Sequence, residues 1–144
     1  MAGPQFFTPR SVTPSRPRRR FTLEQANATL PLVRRIIADV VRIHGEAGKL
    51  QQQFEKVVGT AEQAAVQSRL EQAMHRLEDF VDELSEVGCE LKDYQSGLID
   101  FTGRHLGRDI CLCWKLGEEH IAFWHETNTG FAGRKPVSLL RESD

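Results

Sequence analysis

Three absences bound what this chain is able to be. No stretch approaches the ~20 consecutive apolar residues of a membrane span, and the apolar pair Phe6 and Phe7 lies ahead of the first arginines rather than behind them, as a secretory leader would require. The three cysteines, Cys89, Cys111 and Cys113, are an odd set without C-x-x-C spacing, so reduced thiols are the expectation and a disulfide framework is excluded. The formal net charge is only -1, which argues against a chain that coats a polyanion as a whole. A cytoplasmic protein with no membrane partner is the reading that follows.

The small net charge hides an asymmetry. Residues 1–20 carry Arg10, Arg16, Arg18, Arg19 and Arg20 and no acid, leaving the remainder of the chain at -6. Pro4, Pro9, Pro14 and Pro17 fall in the same segment, a composition that buries too little apolar surface to offset the entropy of ordering. A disordered Arg/Pro-rich tail is expected over 1–20, and nucleic acid is a candidate partner only through it. The rest, 21–144, is one domain's worth of chain with a single core.

Within that domain the hydrophobic period changes. Thr22 and Gln25 have capping-box spacing, which predicts a short helix from Leu23 that Pro31 ends. Val33, Ile36, Val40, Ile43, Ala47, Leu50, Phe54 and Val57 then step by three and four, and Gly59 stops the run. Thr60 and Gln63 suggest a second capping box, followed by Val66, Leu70, Ala73, Leu77, Phe80, Leu84, Val87 and Leu91 at the same steps. A long antiparallel helical hairpin over 21–91 is expected, with its core at the base and a thinner, glutamine-rich tip. A tip of that kind is commonly supported by a second copy, so a homodimer is expected, joined by a partner protein whose identity is unknown.

From residue 97 to 127 the period becomes two. Residues 98–101, 109–116 and 120–127 read as a three-stranded antiparallel meander, with 128–144 as an irregular C-terminal segment; the fold class is α+β. Ile110, Leu112, Trp114 and Leu116 share one face, and Cys111, Cys113 and Lys115 the other. Gly117, Glu118 and Glu119 suit a tight connection, and a two-residue turn there sends Ile121, Phe123 and His125 to the first face and Ala122, Trp124 and Glu126 to the cysteines. Cys113 and His125 are zinc-ligand types, yet this parity separates them; with Glu126 they make a metal site only if a bulge breaks the alternation.

Asp100, Arg104, His105, Arg108 and Arg134 fall in or beside loops, where they either meet an anion or remain solvated. Gly130, Gly133 and Arg134 are not a phosphate loop, because no strand-to-helix junction follows and Pro136 favours irregular backbone. Arg134 is placed to pair with an acid across the fold, and Phe131 to dock at the helix base. His44 and His75 flank the helical seam and read as ordinary flank residues. No recognisable catalytic constellation emerges, so enzymatic activity and any cofactor stay open.

The runs Phe21–Val33, Glu90–Asp93, Gly97–Phe101, Leu112–Glu118, Trp124–Glu126 and Gly130–Arg134 together resemble the bacterial family described as domain of unknown function 2203. That resemblance implies a small bacterial protein and supplies no activity, substrate or catalytic residue. Asp100, Cys113, Trp114, Trp124, His125, Gly130, Gly133 and Arg134 are the positions that match its motifs, which points to the sheet and the loop after it as the site and to the hairpin as scaffold. Two functions remain in contention: a non-enzymatic dimeric interaction or assembly module, or a metal- or small-ligand-binding protein built on Asp100, His125 and Arg134.

Overall fold

The computed structural model describes residues 19–142. The first helix, α1, runs without interruption from Leu23 to Lys56. Its N-terminus is the expected capping box: Thr22 Oγ1 accepts from the Gln25 N–H and Gln25 Oε1 from the Thr22 N–H, both at 3.0 Å. The separate short helix ending at Pro31 does not exist, because Pro31 lies within α1. Its ring is on the exposed side, while Leu30 and Val33 on the opposite side are buried, and that anchorage outweighs one missing backbone hydrogen bond.

The second helix, α2, spans Thr60–Val87 and has Gly59, not Thr60, at its N-cap, with no side-chain cap. The anticipated second capping box is therefore not formed, and α1 has already ended three residues before Gly59. Gly88 ends α2 with φ 111°, and a Cβ there would meet the Phe21 ring at 2.9 Å, so backbone conformation and close packing both require glycine. The sharp stop converts Leu91 from an expected helical seam position into part of a strand.

Five antiparallel strands follow in sequential order, correcting the expected three: β1 (Cys89–Asp93), β2 (Leu98–His105), β3 (Arg108–Lys115), β4 (Phe123–Glu126) and β5 (Lys135–Pro136). β1 was concealed by apolar spacing continuous with α2, and β5 is too short to carry a period. Cys89, Ile99, Phe101, Ile110, Leu112, Trp114 and Trp124 face the helices and join Val33, Ile37, Val40, Ile43, Leu77 and Leu84 in one core. Gly97 lets the β1–β2 turn approach α1 closely: its φ is 73°, and a Cβ would lie 2.6 Å from Ile37 Cγ2.

Residues 1–18 of the expected disordered tail lie outside the described residues. Arg19 and Arg20 are placed: the Arg19 guanidinium lies over Phe21, 4.6 Å from the ring centroid, and Arg20 bridges to Thr102 while its Nε contacts Asp109 Oδ1 at 2.8 Å. Among the described residues, no helix is long and apolar enough to cross a membrane.

The connection between β3 and β4 decides which side chains meet. Glu118 N–H does close a turn onto Lys115 O at 3.0 Å, but the chain does not return directly into the ladder. The Ile121 N–H is drawn to Asn27 Oδ1 at 2.8 Å, the Glu119 carbonyl to Arg34 Nη2 at 2.9 Å, and the Ile121 side chain is buried in the core. β4 therefore begins only at Phe123 and pairs Cys113 with Phe123, Leu112 with Trp124 and Cys111 with His125. The pleat is regular, and the expected register is displaced by an odd number of residues, so every β4 side chain changes face.

Candidate metal centre

On the sheet surface away from the helices, pairing places Glu90, Asp100, Cys113, Phe123 and Pro136 in one row across the strands. Thr102, Cys111 and His125 form the next row. The His125 ring reaches diagonally over β3 toward Asp100 on β2, with Cys113 between them. The ligand atoms of Asp100, Cys113 and His125 all lie within 4.8 Å of one another. The three are almost wholly withdrawn from solvent, at 7 %, 0 % and 4 % exposed respectively. The expectation that alternation keeps Cys113 and His125 apart is thus corrected without any bulge at these residues: the connection, not the pleat, brings them together.

Hydrogen bonding fixes the chemistry of the imidazole. His125 Nδ1 is 2.8 Å from the Glu126 carbonyl oxygen, which accepts only, so Nδ1 carries a proton. In the neutral ring Nε2 then presents a lone pair, and it points at both carboxylate oxygens of Asp100, 3.2 and 3.3 Å away. Two electron-rich groups at that distance require something positive between them, either a proton or a cation. A carbonyl-anchored Nδ1–H is also how metal-binding histidines are oriented to offer Nε2.

The environment opposes charge on the other two groups unless a cation is supplied. Burial raises the Asp100 carboxyl above its ordinary range, with the His125 interaction acting in the opposite direction. Burial first, and the Asp100 charge second, push the Cys113 thiol up to about 12, while Arg134 acts to lower it. A divalent ion offsets both penalties by compensating carboxylate and thiolate charge locally. Bond lengths of ~2.0 Å to nitrogen and oxygen and ~2.3 Å to sulfur imply ligand-to-ligand edges of roughly 3.3–3.7 Å in a tetrahedron. The His125–Asp100 separation already matches such an edge.

Glu126 is not part of this set. It shares the helix-side face with Ile110, and Arg108 holds its carboxylate through two hydrogen bonds of 3.0 and 2.6 Å, keeping it below the usual carboxylate range. His105 lies tilted against Trp124, ring centroids 4.5 Å apart, and accepts from the Arg141 N–H at 2.9 Å, while Arg104 donates to the Gly107 carbonyl. Arg104, His105 and Arg108, which lie at the paired ends of β2 and β3 rather than in a loop, consequently do not converge with Asp100.

Arg134 does reach the centre. Its guanidinium lies 4.4 Å from the Phe123 ring centroid and 3.8 Å from that of Phe131, and its charge acts to lower the pKa of the Cys113 thiol. Its acidic partner is Glu118, at 3.6 Å. Phe131 therefore does not dock at the helix base as expected; it packs on Arg134 and remains 39 % exposed. Phe123, which the observed register pairs with Cys113, and Phe131 and Glu118, which meet Arg134, are contributors that sequence reasoning missed.

No curated protein and no solved structure is matched by this chain. The family model described as an uncharacterized conserved protein, DUF2203, matches residues 19–137, a span that contains both helices and all the strands around the centre. On that match the chain belongs to the DUF2203 family.

Proposed function

We propose that this protein binds a divalent transition-metal ion through Asp100, Cys113 and His125, with the helical hairpin as the scaffold that holds the sheet. One observation carries the reading: a buried imidazole with Nδ1–H committed to a carbonyl aims Nε2 at a buried carboxylate, beside a buried thiol. A donor set of one sulfur, one nitrogen and one oxygen suits zinc and its neighbours rather than magnesium or calcium, which prefer all-oxygen surroundings. The ion would supply Lewis acidity at a position left open by three protein ligands. No disulfide joins the three cysteines, and a thiolate ligand fits a reducing, cytoplasmic compartment.

Elemental analysis of protein purified without a histidine tag, after incubation with zinc or cobalt and desalting, tests this directly. One equivalent per chain is expected. Cys113→Ala and His125→Ala should each lower uptake by about tenfold or more while keeping the helical circular dichroism of the parent. Metal-free protein that shows no thermal shift with zinc, cobalt, nickel or manganese would end the proposal.

A second reading, dimerisation through the hairpin, is favoured by how burial is distributed. Along α1 the last buried residue is Ala47, leaving Leu50 and Phe54 only half-buried toward the tip. The two readings are compatible, since the tip and the outer sheet face are different surfaces.

A further inference from the structure

We propose that Arg134 gates the metal centre: held against the Phe123 and Phe131 rings and tethered by Glu118, it closes the outer sheet face over Cys113, and the opening of this clamp sets how fast an ion enters and leaves. The inference rests on the metal reading above and assigns the route into that site.

Burial makes some movement necessary. Asp100, Cys113 and His125 are 7 %, 0 % and 4 % exposed, so an ion reaches all three only after a side chain has been displaced. Behind the centre, the same strands carry Phe101, Leu112 and Trp124 into the core. To the sides, the ladder pairs β2 with β3 and β3 with β4 through every one of the three positions. The face away from the helices is the route that disturbs neither core nor ladder.

Arg134 occupies that route. Phe123, whose ring centroid is 4.4 Å from the guanidinium, is the residue paired with Cys113, and the Arg134 charge is felt at the Cys113 thiol. Phe131 holds the guanidinium at 3.8 Å and is itself approached by Lys115 Nζ at 5.5 Å. Glu118 completes the clamp at 3.6 Å, and the Arg134 side chain is 24 % exposed, so it extends from solvent to the neighbourhood of the buried thiol.

The segment carrying Arg134 is also easier to move than the strands beneath it. It connects β4 to the two-residue β5, and its backbone hydrogen bonds are local: Thr129 N–H to Glu126 O at 3.2 Å, Gly133 N–H to Gly130 O at 3.1 Å and Arg134 N–H to Phe131 O at 3.2 Å. Swinging Arg134 aside therefore breaks side-chain contacts while the three donors stay in register on β2, β3 and β4.

The test uses the full chain and cobalt, whose visible bands respond to its ligands. Uptake is timed by rapid mixing, and release by excess chelator at concentrations where the rate no longer depends on the chelator. In Phe131→Ala both rates are expected to rise by about fivefold or more, the factor that one cation–π contact represents in a barrier. They should rise in similar proportion, because a gate alters the path between free and bound states and not the states themselves. Glu118→Gln, which keeps an acceptor for the Lys115 N–H, should move both rates the same way by a smaller factor. Phe131→Tyr, which retains a ring beside the guanidinium, should return the parent rates. Unchanged rates in Phe131→Ala, or faster release with uptake unaltered, the mark of a weakened site, overturn this inference and leave the metal reading standing. Failure of the parent chain to take up cobalt overturns both.

Discussion

His44 shows at a single position what burial does to a polar ring here. It lies in α1 among core residues, stacks on Tyr94 with ring centroids 5.4 Å apart, and its Nε2 has no hydrogen-bond partner. Burial lowers its proton affinity below the ordinary value of 6.5, opposed in part by the charge of Asp93. Between the depressed folded value and 6.5, the unfolded chain binds more protons than the folded one, so stability rises with pH across that window. The contribution is complete above the unfolded value and is lost as pH falls through the window. Denaturant unfolding of chelator-treated protein, compared between about pH 7.5 and pH 5, should therefore show a smaller loss on acidification for His44→Phe than for the parent. Equal losses would remove His44 as the cause. His125 is buried to a similar extent but has both nitrogens engaged, which separates a ring tolerated by the core from one oriented for a task.

Elements impose what residues cannot. The amphipathic periods of both helices, the capping box at Thr22 and the side-chain parity of β3 were all legible in the sequence, because each depends on neighbours within a turn or two of chain. The register of β4 was not. Gly117-Glu118-Glu119 has the local composition of a tight turn, and a turn does form, but the following residues answer to Asn27 and Arg34 on α1. No local pattern encodes hydrogen bonds to a helix so remote along the chain. The individual candidates Asp100, Cys113 and His125 could thus be named from sequence, while their convergence could not. Asn27→Ala tests the dependence. Leaving the Ile121 N–H without its acceptor in a largely buried position should cost about 1–3 kcal/mol in denaturant unfolding. It should also weaken metal uptake, because the start of β4 loses its anchor. Unchanged stability and uptake would show that the ladder alone sets the register.

At the scale of the whole molecule, one core joins the helical base to the inner sheet face, and the proposed centre occupies the outer face. The helices support the site from behind without supplying a ligand to it. That separation leaves the hairpin tip free for a different role, and Val58 at the connection is 92 % exposed. If the tip serves as a contact between copies, light scattering coupled to size-exclusion chromatography at micromolar concentration should return a dimer mass. Substituting Leu50 and Phe54 with glutamate should return a monomer that still binds metal. A monomeric parent would confine the protein's function to the sheet.

The sequential strand order has a consequence for assembly itself. Because β2, β3 and β4 are neighbours in both chain and space, the three proposed donors arrive together only when the sheet zips up in one alignment. A slip of β4 by a single residue would swing the imidazole to the opposite side and discard a ligand. Captured there, a cation would act as a clasp on the finished ladder, rewarding the correct alignment over its nearest competitors.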